Sequence, residues 1–386
     1  MIRIAVTMLV GDRAKFLGIV FGLSFAAMLM TQQGAIFSGV MALVYGHVSD
    51  TPQAELWISD PGLAEIDTTG PINERELDNV RAVEGVRWAV PLLRTLVHAR
   101  DPDGRITPLM VLGFDDATGI GAPLPKAMVA GAAGALQRPD TVVIDEYGAA
   151  SKLRVALPDG GSRALGLGDH LILNGRDTEV VGLCRSTLSL MLYPTAYMRR
   201  SHLSAIDPDQ DGSFNFILAG TVPGADAQEV CRRISAATGL IARTRTDFSR
   251  HNHDFYLHES GIPANFAIAV LLGFVVGAAI AGQTFSQFVS DNRRIFASLK
   301  AMGMRDSGLM RILLVQATTS ALLGLGLGVG GAALFGCLLE GTDLSFRLEP
   351  LLILIAFAAV LVISLAAAML SLRSLLRLDP ALVFRS

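Results

Sequence analysis

Four long apolar stretches set the outer limits on how this 386-residue chain can fold. They run over residues 16–45, 262–290, 306–338 and 350–372, and each is long enough to cross a bilayer core, which takes roughly 20 residues as a helix. The chain is 51% hydrophobic and 17% charged, the balance of a membrane protein. A net charge of −3 gives no basis for nucleic-acid binding. The first stretch exceeds a hydrocarbon core, so it tilts or continues beyond the membrane as a stalk. Arg13 and Lys15 give it a basic flank, but it is too long for a signal-peptide core and no small-x-small cleavage site follows. It reads as a retained helix. Ahead of it, Ile2, Ala5, Val6, Leu9 and Val10 repeat at helical spacing. Residues 1–15 therefore read as an amphipathic helix on the inner surface, or else as an extension of the first span.

Basic residues near the span ends set the orientation. Residues 1–15 carry Arg3, Arg13 and Lys15; 291–311 carry Arg293, Arg294, Lys300, Arg305 and Arg311; 373–386 carry Arg373, Arg377 and Arg385. The loop 339–349 carries Arg347 against Glu340, Asp343 and Glu349. Both termini and the segment 291–305 are thus expected in the cytoplasm, and the 46–261 insert outside. The fold class expected is an α-helical membrane protein of four transmembrane helices, with a large α+β periplasmic domain inserted between the first two.

The insert reads as folded. Strand 54–60, helix 72–86 and strand 87–99 recur in type as strand 214–222, helix 224–239 and strand 240–248. Two such units combine into one split βαβ sandwich, with halves at about 50–100 and 212–250. Pro91 is expected at an edge or a bulge. Residues 101–211 are rich in short strands, Gly and Pro, and read as a β-rich subdomain inserted between the halves.

No G-x-x-x-x-G-K-[ST] phosphate loop occurs. A G-x-G-x-x-G match at Gly326, Gly328 and Gly331 lies inside the third apolar stretch, without the strand that a dinucleotide site needs. Glycines four apart suit close helix packing instead: Gly324 and Gly328, Gly326 and Gly330, Gly273 and Gly277, with Gly18, Gly22 and Ala26 in the first stretch. Polar residues inside the spans are few: Gln32, Gln33, Gln283, Thr284 and Gln316. Such groups are expected to face another helix or a cavity, and Gln32 and Gln33 either join helices or line a substrate path. His251, His253, Asp254, His258 and Glu259 have poor spacing for a metal and read better as a solvated stalk. No catalytic set can be assembled; Asp115–Asp116 and Asp145–Glu146 read as turn residues. Cys184 and Cys231 can pair if their domain lies in an oxidising compartment, and Cys337 reads as a core residue.

The segment 292–311 is the most unusual. It packs four arginines and Lys300 between two apolar stretches where a plain turn would serve. As a helix it places Ile295, Leu299 and Met302 on one side, bordered by Phe296 and Gly303, with Arg293, Arg294 and Lys300 elsewhere and Gly303 as its stop. Such a helix can act as a handle, or bind anionic lipid.

With this order of segments, "RIFASLKAMG" (294–303) and "LDPALVFR" (378–385) resemble the MacB/FtsX-type ABC permeases, the type VII or mechanotransmission family. "MTQQGAIFSGVM", "AELWISDPG", "VRAVEGVRWAVPL" and "VLGFDDATGIGAP" are similar to its DevC-like exporter branch, typified by the glycolipid-exporter permease of filamentous cyanobacteria. The resemblance implies a homodimer in the bacterial inner membrane, without an ATPase site of its own. ATP and Mg would sit on a separate ABC ATPase subunit that grips Arg293, Arg294, Phe296, Leu299, Lys300, Met302 and Gly303. A periplasmic membrane fusion protein, with or without an outer-membrane channel, would complete the assembly and expel a lipid, glycolipid or hydrophobic small molecule. An FtsX-like regulator of a periplasmic hydrolase and a lipoprotein-release permease share the topology. A transmembrane receptor is a different class, disfavoured by the short tail after Leu372. One departure stands out: the acid usual after the first Arg of the motif is Ile295 here.

Overall fold

The computed structural model describes every residue except 1, 45, 64–65, 67–69, 188–189, 209–211, 340–343 and 377–386. Glu340, Asp343, Arg377, Arg385 and the 378–385 motif lie outside the described residues. The chain forms two compact units, residues 1–40 with 261–386, and residues 41–260.

In chain order the elements begin with helices α1 (Ile2–Gly11), α2 (Arg13–Leu43) and α3 (Gly46–Asp50). There follow β1 (Leu56–Ser59), β2 (Ile72–Asn73), α4 (Glu74–Arg81), β3 (Val86–Arg100), β4 (Ile106–Phe114), β5 (Met128–Gly131), β6 (Thr141–Asp145) and α5 (Glu146–Ala150). Next come β7 (Val155–Ala156), β8 (Ser162–Arg163), β9 (His170–Leu173), β10 (Arg176–Cys184), β11 (Thr195–Arg199), α6 (Arg200–Ile206), β12 (Ser213–Phe214) and β13 (Phe216–Thr221). The chain finishes with α7 (Ala227–Thr238), β14 (Ile241–Thr244), α8 (Arg245–His258), α9 (Ile262–Asp291), α10 (Arg293–Ala301), α11 (Asp306–Leu338) and α12 (Pro350–Leu376).

Within residues 41–260 the four strands of the two strand–helix–strand units lie in the order β14-β1-β13-β3, every neighbour antiparallel. That is the split βαβ arrangement. Its helices start where polar caps satisfy the first free N–H groups. Asn73 and Glu76 close a reciprocal capping box on α4, and the Asp226 side chain accepts from Gln228 N–H to start α7. Gly239 ends α7 at φ +76°, a conformation that glycine takes without Cβ strain. α4 and α7 lay Leu77, Val80, Val230 and Ile234 on Leu56, Ile58, Ala89 and Ile217 of the sheet. The opposite face buries Trp57, Val90, Leu92, Phe216 and Leu218 with Phe248 of α8. Trp57 stacks on Phe248 at 5.3 Å between ring centroids.

The segment 101–211 meets this sandwich through one strand. Its strands extend the same sheet as β4-β11-β6-β10-β5, with β9 pairing both β10 and β3. The join is β3: residues Val86–Leu92 pair with β13, and Leu93–Arg100 pair with β4. Pro91 faces Ile217 on β13 and precedes the β3–β4 ladder, so the expected edge site is a half-open flank of a central strand. Two further expectations are corrected. The strand expected over 240–248 stops at Thr244, whose hydroxyl accepts from Asp247 N–H and opens α8. The segment 250–259 is therefore the rest of a helix that packs Phe248, Asn252 and Tyr256 on one side and leaves Asp254, His258 and Glu259 exposed on the other. Cys184 and Cys231 are free thiols in clusters on opposite faces of the sheet.

In the other unit, α2, α9, α11 and α12 are each long and apolar enough to cross a membrane. α1 is distinct from α2: Asp12 breaks the run, accepting from the Lys15 backbone and ammonium. Ala5 and Leu9 of α1 are fully buried, while Ile4 and Val10 are exposed. The packed line is thus narrower than the Ile2–Val10 pattern suggests, and α1 docks on α11.

Candidate functional site

The site is the short crossing between α9 and α11. α9 ends at Asp291, and the Asn292 side-chain amide donates back to Phe288 O at 2.8 Å. The chain turns there, and Asn292 O accepts from Ile295 and Phe296 N–H as α10 begins. α10 ends in a Schellman motif: Gly303 N–H donates to Lys300 O at 3.0 Å and Met304 N–H to Leu299 O at 3.1 Å. Gly303 holds φ +91°, which explains the glycine as a stop. Leu299 and Met304, the pair expected to touch across such a motif, both lie against the helical core.

One side chain anchors the helix. Phe296 is fully buried with Ala297, in a cluster with Phe285, Phe288, Val289, Leu309 and Ile312. Against water, that burial is worth about 1.5–3 kcal/mol. The apolar side read from the sequence is split: Leu299 is half-buried, whereas Ile295 is 45% and Met302 76% exposed. Arg293, Arg294 and Arg305 are exposed as well. Lys300 pairs with Asp306 at 3.3 Å across the Gly303 turn. The outer surface of α10 is therefore basic, with two apolar side chains standing among the arginines. Below it, Lys15 of α2 pairs with Asp291 at the end of α9 and with Asp12 at 2.6 Å. The sequence reading missed both Phe296 as the anchor and this ion pair. Phenylalanines at 285, 288 and 296 were the available signal for the first.

Most of the glycines noted in the spans sit at close helix approaches. A Cβ on Gly277 would overlap Ala26, one on Gly273 would press on Leu29, and those on Gly324 and Gly328 would overlap Leu23 and Ala27. Gly326 and Gly330 face open space. Gln32 and Gln33 are half-buried, and Gln283 is exposed on this chain where an inward position was expected. Gln316 is fully buried, and its amide donates to Ala5 O at 3.0 Å, tying α11 to α1. The Thr284 hydroxyl is satisfied within its own helix by Ile280 O.

In residues 41–260, no cluster of three metal-ligating side chains occurs among the described residues. His258 Nδ1 lies 2.9 Å from the Asp254 carbonyl, on a helix and not in a ligand set. Burial pushes the Cys184 thiol up to about 12 and that of Cys231 to about 11, so both stay protonated and unreactive at neutral pH. Asp145 caps α5 through Gly148 N–H and also accepts from Thr195 N–H; burial raises it to about 6. Asp115 closes a turn by accepting from Thr118 N–H and O–H.

Residues 267–380 match the family described as FtsX-like permease C-terminal. The match begins inside α9 and takes in α10, α11 and α12. No curated protein matches the chain. Among solved structures, the chain is similar to the extracellular domain of the noncanonic ABC-type transporter YknZ from Gram-positive bacteria. Identity there is 13%, covering 48% of this chain and 92% of that one, with a TM-score of 0.34. It is similar also to the periplasmic region of MacB from Actinobacillus actinomycetemcomitans, at 11% identity, 52% and 92% coverage and a TM-score of 0.36.

Proposed function

We propose that the chain is the permease subunit of an ATP-driven ABC exporter, in which a separate ATPase moves α10. The observation that carries this reading is the FtsX-like permease match over the helices that include α10. The character of α10 supports it. A helix clamped by Phe296 on one side and by a Schellman turn at its end moves as one piece with α9 and α11. Its outward Arg293, Arg294, Ile295 and Met302 offer charge and apolar grip to a soluble partner. The exposed Ile295 takes the place of the acid usual in the motif, so contact there is apolar.

On this reading the protein is a homodimer in the inner membrane, with cytoplasmic termini and residues 46–261 periplasmic. ATP and Mg bind the ATPase subunit. A membrane fusion protein, with or without an outer-membrane channel, receives the cargo, and the DevC-like motifs favour a lipid, glycolipid or hydrophobic small molecule. The same family match suits an FtsX-like regulator of a periplasmic hydrolase or a lipoprotein-release permease; the readings part at what the ATPase cycle delivers. The test is reconstitution in nanodiscs with an ABC ATPase subunit that co-purifies with the tagged chain. Arg293→Glu with Arg294→Glu should abolish stimulation of ATP hydrolysis while leaving the melting temperature unchanged. Stimulation at the unaltered level in that double variant overturns the proposal.

A further inference from the structure

Residues 41–260 hold a cavity of about 340 Å³ that the transport reading does not use. Its floor is apolar, from Phe114, Leu124 and Leu136. Five polar side chains line it, Thr118 and Gln137 among them, and three come from well-separated segments: Gln53 before β1, Asp116 after β4 and Arg199 at the end of β11. β4 and β11 are paired neighbours with Phe114 opposite Arg199, so Asp116 and Arg199 emerge from the same end of the sheet.

The bonding of these three groups is incomplete in complementary ways. Gln53 Oε1 is buried and accepts no hydrogen bond. A buried acceptor left so costs about 1–3 kcal/mol. Arg199, the residue before α6, has no carboxylate within ion-pair distance among the described residues. Asp116 accepts from Ser201 Oγ at 2.6 Å on one oxygen and Ser201 N–H at 3.2 Å on the other, which leaves lone pairs for a further donor. Opposite charges thus line one small cavity without pairing with each other.

We propose that this cavity binds a small zwitterion of the amino-acid or dipeptide class. Its carboxylate meets Arg199, its ammonium meets Asp116 and the Gln53 carbonyl, and its apolar side chain lies on Phe114 and Leu136. The volume falls at the small end of ligand sites, roughly 300–1,000 Å³, which suits one or two residues and excludes a longer peptide held whole. The inference stands apart from the transport reading, since it rests on residues outside the membrane helices.

The test is calorimetric titration of the full chain in nanodiscs with L-alanyl-L-alanine, N-acetyl-alanyl-alanine and alanyl-alanine amide. The free dipeptide should bind saturably at one site, and each blocked form at least about tenfold more weakly, as the loss of one charged hydrogen bond predicts. Arg199→Gln and Asp116→Asn should lose binding while melting at the unaltered temperature, and Arg199→Lys should retain part of it. No saturable binding of the free dipeptide, or equal binding of the blocked forms, overturns the proposal. So does unchanged affinity in a folded Arg199→Gln. Should that variant misfold, the blocked peptides on the unaltered protein decide alone.

Discussion

Asp145 is a carboxylate that burial works against and hydrogen bonds work for. Its two oxygens accept separately, from Gly148 and from Thr195 N–H, yet desolvation wins and lifts it to about 6. The native state therefore holds a proton that the unfolded chain releases near 4. Stability should be greatest below that and should fall as pH rises through 4 to 6, by up to about 3 kcal/mol. Asp145→Asn removes this slope. It also replaces one acceptor oxygen with a donor facing an N–H, so the variant should be less stable at every pH. Melting curves of the two proteins between pH 4 and 7 check both points; equal pH slopes in the two proteins would show that another group carries it. Glu55 and Asp169 are shifted the other way, by Thr221 and Arg163, but they are present in both proteins and cancel in the difference.

Elements differed in how far the sequence disclosed them. α7 was legible because its cap, its Val230–Ile234 spacing and its terminal glycine all agree. α8 was not: it buries Phe248, Asn252 and Tyr256 at steps of four, and an asparagine in the middle of the line hides the period. Only the fold supplies its distant partner, Ile66 N–H on the Asn252 oxygen, while its amide donates to Phe248 O one turn back in the same helix. The same limit applies to α10. Nine residues offer apolar groups on two sides, and the direction in which α9 delivers the chain selects Phe296 over Ile295 and Met302. Its arginines and its stop at Gly303 were legible because each depends on local chemistry alone. Gly303 in turn permits a prediction. Valine at φ +91° should cost roughly 1–2 kcal/mol and fray the end of α10, whereas asparagine, which tolerates left-handed backbone, should cost less. ATPase stimulation and melting temperature in the reconstituted complex should both rank glycine above asparagine above valine. Valine equal to glycine in both measurements would show that the turn does not set the helix's hold.

At the scale of the molecule, residues 41–260 enclose their own core on both faces of a single sheet. Expressed alone, this segment should fold without detergent and melt in one cooperative transition, measured by circular dichroism and by tryptophan fluorescence from Trp57 and Trp88. Two separate transitions would restore the independent subdomain that the composition of residues 101–211 suggested. The reason to expect one lies in β3. A strand that is hydrogen-bonded to β13 along its first half and to β4 along its second makes both ladders depend on one continuous backbone. Unfolding either half therefore strips the other of a strand partner, while the step from Leu92 to Leu93, where one ladder ends and the next begins, is where the sheet can bend with both ladders intact.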